Sequence, residues 1–211
     1  MSLELIQGSE EWLKIRLGKV TASRVSDVIA KTKSGYSASR ANYMAELIAE
    51  RLTGEAAPRF TNAAMEWGTA TEGEARNAYC FMRNCDVMQV GFVHHPAITM
   101  AGASPDGLVG DDGLLEIKCP NTSTHIDVFM ADQAPTKYIP QMQWQMACTG
   151  RAWCDFVSYD PRMPAHLRLY KTRIERDDTL IASIEKEVTA FLAELEAKIA
   201  ALNATAERLA A

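Results

Sequence analysis

The stretch Ser104–Pro120, S-P-D-G-L-V-G-D-D-G-L-L-E-I-K-C-P, constrains the fold more than any other part of this 211-residue chain. Gly110-Asp111-Asp112-Gly113 is turn chemistry framed by Leu108-Val109 and Leu114-Leu115, and it predicts a tight β-hairpin. A turn centred on Asp111 sets Asp106 opposite Glu116. Side chains alternate along a strand, so Glu116 and Lys118 share one face while Ile117 points into the core. Two carboxylates and one amine then meet at the end of a hairpin.

Two close carboxylates resist joint ionisation unless a cation lies between them. Mg²⁺ is hard, prefers oxygen and keeps several waters, so Asp106, Glu116 and the backbone carbonyl of Ile117 form a sufficient protein donor set. Metal-held water becomes a usable nucleophile near neutral pH, and a second ion can hold the leaving oxygen. Lys118 would position or deprotonate that water, or offset charge developing on phosphorus. An isolated D…E-x-K is more often a solvated hairpin with ordinary surface charges. The apolar frame, the following Cys119-Pro120 and the residues below favour the metal site.

A chain of this length, 47% hydrophobic and 23% charged, suits one globular domain with a substantial core. No apolar run approaches the roughly 18 residues a membrane span needs, and the opening residues do not read as a signal peptide. The five cysteines show no C-x-x-C, which argues for reduced thiols in a cytoplasm and against a disulfide framework or iron–sulfur cluster. His94, His95, His125 and His166 lack zinc-ligand spacing. The net charge of −5 is unevenly spread: residues 12–40 hold seven bases against Asp27 alone, whereas the chain from Glu175 holds eight acids and four bases. That asymmetry predicts a basic working surface on an acidic body.

In chain order, Ser9 caps a short helix carrying Trp12, Leu13 and Arg16, ended by Gly18, and Thr21–Ser23 opens another to about Ala30. Residues 31–40 read as a basic loop. A helix spans about Ser39–Thr53, with Tyr43, Met44, Leu47, Ile48 and Leu52 inward and Gly54 as its stop. Asn62 caps a helix to about Arg83, with Trp67, Ala70, Ala75, Ala78, Tyr79 and Met82 on its apolar side. Glu72 lies there among small neighbours; it either reaches the metal site or is a plain surface acid. Residues 86–94 and 98–103 read as strands. Thr122 or Ser123 caps a helix to about Asp132. A further helix, about Tyr138–Cys148, puts Gln141 and Gln145 on one face and Gln143 on the other. Strands follow at Trp153–Tyr159 and Leu167–Ile174. The last element is a long helix from about Asp177, with Leu180, Ile184, Val188, Phe191, Leu195, Ile199 and Leu202 as one stripe that covers the sheet or, distally, a neighbouring subunit.

Six segments, in order, resemble the phage lambda exonuclease group of viral recombination nucleases, within the PD-(D/E)XK superfamily. They are W-L-K-I-R-L-G-K-V-T-A-S at 12–23, W-G-T-A-T-E at 67–72, A-S-P-D-G-L at 103–108, L-E-I-K-C-P at 115–120, Q-M-Q at 141–143 and Y-D-P-R-M at 159–163. The resemblance covers nearly the whole chain. It implies an α/β fold with a central mixed β-sheet flanked by helices, a helical N-terminal part and a long C-terminal helix, residues 1–211 forming a single nuclease domain. It implies a Mg²⁺-dependent, ATP-independent exonuclease, with Mn²⁺ as a possible substitute. Such an enzyme degrades the 5′-ended strand of linear double-stranded DNA to 5′-mononucleotides, often as a homotrimer beside a single-strand annealing protein. Asp106, Glu116 and the Ile117 carbonyl would hold metal, and Lys118 would be the catalytic lysine. Glu72 would assist the metal and water shell, and Gln141 would align substrate and lysine. Arg16, Ser23 and Ser104 would bind the terminal 5′-phosphate, Trp12 would stack or pack beside them, and Lys33 would stand in the arch that admits DNA. Rival readings are a structure- or sequence-specific endonuclease of the same fold, a non-catalytic DNA-end-binding module and a scaffolding protein.

Overall fold

The computed structural model describes residues 6–57 and 62–211. Helix α1 (Glu10–Arg16) begins where Ser9 Oγ accepts the Trp12 amide, and it ends at Leu17, just before Gly18. Strand β1 (Val20–Thr21) passes through a single 3₁₀ turn into α2 (Val25–Ile29). The basic stretch expected as a loop instead forms a small hairpin, β2 (Lys31–Thr32) with β3 (Gly35–Tyr36). Helix α3 (Ala38–Thr53) stops at Gly54, whose φ of 73° is readily adopted without a Cβ. Helix α4 (Ala63–Arg83) starts at Asn62, as its side chain foretold.

Residues 86–94 do not form one strand. They divide between β4 (Val87–Met88) and β5 (Val93–His94), which join different sheets, and β6 is only Ala101–Ala103. Strands β7 (Gly107–Val109) and β8 (Gly113–Lys118) make the expected hairpin. Helix α5 (Thr122–Ala131) is capped by Asn121, not by Thr122 or Ser123: Asn121 is extended and accepts the Thr124 amide, while Thr122 is already helical. Helix α6 (Ile139–Thr149), β9 (Trp153–Tyr159), β10 (Leu169–Glu175) and α7 (Asp178–Ala210) complete the order.

The larger sheet runs β10-β9-β8-β7-β4, antiparallel except for the central β8–β9 pair. A second sheet, β1-β6-β5, holds the residues just before the hairpin. Strand alternation divides the core. Leu114 of β8 and Cys154 and Phe156 of β9 face α6 and the apolar stripe of α7, with Trp144, Ile184, Val188 and Phe191 among their buried neighbours. Leu115, Ile117, Val157 and Tyr159 face Ala75 and Tyr79 of α4. Because both faces of β8 and β9 are covered, those strands read as nearly continuous apolar runs.

Some expected core positions lie outside. Leu52 and Leu202 are each about half exposed, and Ala70 and Met82 point to solvent. Leu52, Met82 and Leu202 stand near helix ends, where an apolar period continues after the element that covers it has ended, and Ala70 lies on the outward face of α4 beside buried Thr71. The charge asymmetry is also used differently from the expectation. Lys31 pairs with Glu187, Arg40 with Glu194 and Arg51 with Glu196, so bases of the N-terminal half hold acids of α7. Arg24 pairs with Asp27 and Glu46. Part of the basic segment thus meets the acidic face of α7. None of the described helices is long and apolar enough to cross a membrane.

Candidate active site

The hairpin register pairs Gly107 with Leu115, Leu108 with Leu114 and Val109 with Gly113. Continuing it sets Asp106 across from Glu116, as the turn chemistry required. Asp106 Oδ2 accepts the Ile117 amide at 2.6 Å, which fixes its carboxylate at the mouth of the hairpin. Glu116 is 1% exposed, a costly place for a carboxylate without partners. Both its oxygens have them. Oε1 accepts Gln141 Nε2 at 2.6 Å and lies 2.5 Å from Lys118 Nζ, and Oε2 accepts Gln145 Nε2 at 2.6 Å. Gln141 and Gln145 share the inner face of α6, while Gln143 turns away to the backbone of Glu175 and Asp177.

Electrostatics follow from that enclosure. Desolvation and the neighbouring Glu116 push the Asp106 carboxyl well above its ordinary range, only partly opposed by Lys118. Burial works against the charge on Lys118, but Glu116 and Asp106 outweigh it and hold the ammonium form more firmly than usual. Cys119 is pushed up to about 12 by burial and by Glu72 and Asp106, so it stays a thiol.

Glu72 comes from α4. It pairs with Arg76 one turn on, and Arg76 Nε donates to the Asp106 backbone carbonyl at 3.3 Å. Glu72, Asp106, Glu116, Ile117, Lys118 and Gln141 all line one cavity of about 630 Å³. Trp12, Arg16, Ser23 and Ser104 line the same cavity. Ser104 Oγ accepts both Trp12 Nε1 at 3.0 Å and Arg16 Nη1 at 3.3 Å, and the Arg16 guanidinium lies 3.8 Å over the Trp12 ring. The structure does not bring Lys33 to this cavity. It sits in the β2–β3 turn, whose strands are fastened to Glu187 of α7 through Lys31 and Tyr36.

The donor set here is carboxylate and backbone oxygen. Among the described residues no group of three or more His, Cys, Asp or Glu side chains is placed to hold a metal ion. The carboxylates of Asp106 and Glu116 and the Ile117 carbonyl would fit a hard divalent cation that keeps much of its water shell. Arg76 and Gln145 were not singled out as site residues by sequence reasoning. Their i, i+4 relation to Glu72 and Gln141 was the available signal.

Known proteins resemble this chain in sequence and in fold. The YqaJ-like viral recombinase domain matches residues 11–152. The crystal structure of an alkaline exonuclease (LHK-Exo) from Laribacter hongkongensis superposes with a TM-score of 0.89 and 58% identity, covering 95% of this chain and all of that one. The same enzyme in complex with dAMP gives 0.90 at 58% identity, with the same coverage. A phage-related exonuclease from Haemophilus somnus 129PT, 17% identical with a TM-score of 0.70 over 87% of this chain and 96% of its own, shares the fold. A protein of Acanthamoeba polyphaga mimivirus, R354, is 28% identical over 72% of this chain, which spans 28% of that protein's length. The mixed sheet with flanking helices and a long C-terminal helix is therefore the architecture of the alkaline exonuclease. The chain belongs to the YqaJ-like viral recombinase family, the lambda exonuclease-like group that its motifs resemble.

Proposed function

We propose that this chain is an exodeoxyribonuclease that uses Mg²⁺, with Mn²⁺ as a substitute, to degrade the 5′-ended strand of linear duplex DNA to 5′-mononucleotides. The observation that carries the reading is one cavity holding Asp106, Glu116, Lys118 and Gln141 at one part and Arg16, Ser23 and Ser104 at another. The first group suits phosphodiester hydrolysis. The second offers a guanidinium and hydroxyls to a terminal phosphate. The similarity to the alkaline exonuclease LHK-Exo, and that enzyme's complex with dAMP, a deoxynucleoside monophosphate, support the same product class.

When bound, the metal would polarise the scissile phosphate and lower the pKa of the attacking water. Asp106, Glu116 and the Ile117 carbonyl would hold it, with Glu72 ordering the surrounding waters. The Lys118 ammonium would face the charge developing on the phosphorus, and Gln141 would keep Glu116 and Lys118 aligned. The same residues would hold one or two such ions, and removal of the 5′-ended strand would leave a 3′ overhang for an annealing partner. Action as a homotrimer in the cytoplasm, and residues 1–211 as a single domain, belong to the same reading.

The decisive assay digests end-labelled linear duplex with Mg²⁺ and asks which label is released first. Release of the 5′ label, abolished by chelator, is expected; release of the 3′ label would overturn the polarity. Closed circular duplex should persist, and its cutting at a comparable rate would indicate an endonuclease. Asp106→Ala should lose cleavage by at least about a thousandfold while keeping its fold; full activity in that variant would end the metal assignment.

A further inference from the structure

Glu116 is the most enclosed acid of the cavity, and its two oxygens are held by different kinds of partner. Those on Oε1, Lys118 and Gln141, line the cavity. The partner on Oε2, Gln145, lies one helical turn deeper on α6, is fully buried and does not line the cavity. Its carboxamide is oriented by the acid. Nε2 donates to Oε2 at 2.6 Å, while its own Oε1, shut from solvent, has no hydrogen-bond partner among the described residues. A buried carbonyl oxygen without a donor is destabilising. Reversing the amide would set oxygen against carboxylate, so the orphaned oxygen persists because the donor end is required at Glu116. The amide also holds the carboxylate without adding charge. A lysine there would neutralise the acid pair, and a carboxylate would repel it.

We infer that Gln145 is a positioning residue for metal binding: it draws Oε2 of Glu116 toward α6 and leaves Oε1 on the cavity side to meet a divalent cation. The inference rests on the metal-dependent reading given above. Groups that orient a metal-ligating carboxylate govern affinity for the ion without touching it. Gln145 therefore sets how much Mg²⁺ or Mn²⁺ the site needs, and it leaves the chemistry at saturating metal largely intact.

The test uses the full chain and Mn²⁺ alone, titrated calorimetrically without DNA, alongside the metal concentration giving half-maximal cleavage. Gln145→Met keeps the side-chain volume and removes both donor and orphaned oxygen. It should melt within a few degrees of the parent in chelator, bind Mn²⁺ about tenfold or more weakly, and recover most of its cleavage rate at high metal. Gln145→Asn, one methylene too short to reach Glu116, should show the same weakening. If Met at this position prevents folding, the Asn variant decides. A folded variant whose Mn²⁺ affinity and half-saturating metal stay within twofold of the parent overturns the assignment and leaves Gln145 a core residue only. Absence of Mn²⁺ binding by the parent itself would instead sink the metal reading, and this inference with it.

Discussion

Arg16 is aimed by what lies beneath and beside it. Its guanidinium stacks 3.8 Å over Trp12, and Ser104 Oγ receives a hydrogen bond from each. Such stacking takes the place of rotamer searching and holds the planar guanidinium in one orientation. Loss of a charge-assisted contact of this kind costs about 1.5–3 kcal/mol, or roughly ten- to a hundredfold in a rate ratio. Arg16→Ala should therefore cut the preference for 5′-phosphorylated over 5′-hydroxyl ends by about that factor, measured as the ratio of initial digestion rates. An unchanged ratio would remove Arg16 from the phosphate pocket. The i, i+4 spacing of Trp12 and Arg16 made their contact legible in the sequence. The contribution of Ser104 was not: it stands 88 residues from Arg16, and the two segments are drawn together by the parallel pairing of β1 with β6 and by Gln7 Nε2 donating to the Pro105 carbonyl. The motif resemblance had named it, but no local pattern did.

At the scale of elements, the hairpin was legible because its register follows from turn residues and a two-residue period, both local. The short strands β4, β5 and β6 were not, because their extent is set by partners far along the chain. Gly113 illustrates the difference. The sequence presents it as a turn residue, whereas it begins β8 and pairs with Val109 on one side and Trp153 on the other. A Cβ there would stand 2.1 Å from carbons of the Trp153 ring, and that ring is itself held 3.4 Å beneath the Arg173 guanidinium. The glycine lets β8 and β9 pair flat under an indole. Gly113→Ala should destabilise the chain by about 1–3 kcal/mol as the ring or the strand is displaced, lowering the urea midpoint with little change in slope. Because β8 carries Glu116 and Lys118, cleavage should fall as well. A midpoint equal to the parent's would show that Trp153 has room to move.

Across the whole molecule, charge serves assembly of the fold before it serves a substrate. The acids of α7 hold bases of the N-terminal half, and a second seam lies at the end of β9 within Y-D-P-R-M. Asp160 is fully buried there. It receives Arg162 Nε at 2.7 Å and Nη2 at 3.0 Å and the Thr122 hydroxyl at 2.6 Å, while Arg162 also donates to the Pro120 carbonyl and lies over Trp67. The Asp160–Arg162 pair thus joins the end of β9, the start of α5, α4 and the strand exit that bears Lys118. Burial alone would raise its pKa, but the bonds from Arg162 and Thr122 outweigh it and hold it at about 2. An unfolded aspartate titrates near 3.9, so the unfolded chain binds this proton first as pH falls. The stabilisation is complete above about pH 4–5 and is lost as pH drops toward about 2. Asp160→Asn should cost about 1–3 kcal/mol at pH 7, less than a fully buried pair because Arg162 is nearly half exposed. Urea midpoints of parent and variant, measured at fixed ionic strength, should stay apart from pH 7 to 5 and converge between pH 4 and 2. A separation that holds constant down to pH 2 would mean that Asp160 acts there through packing, with its charge contributing nothing.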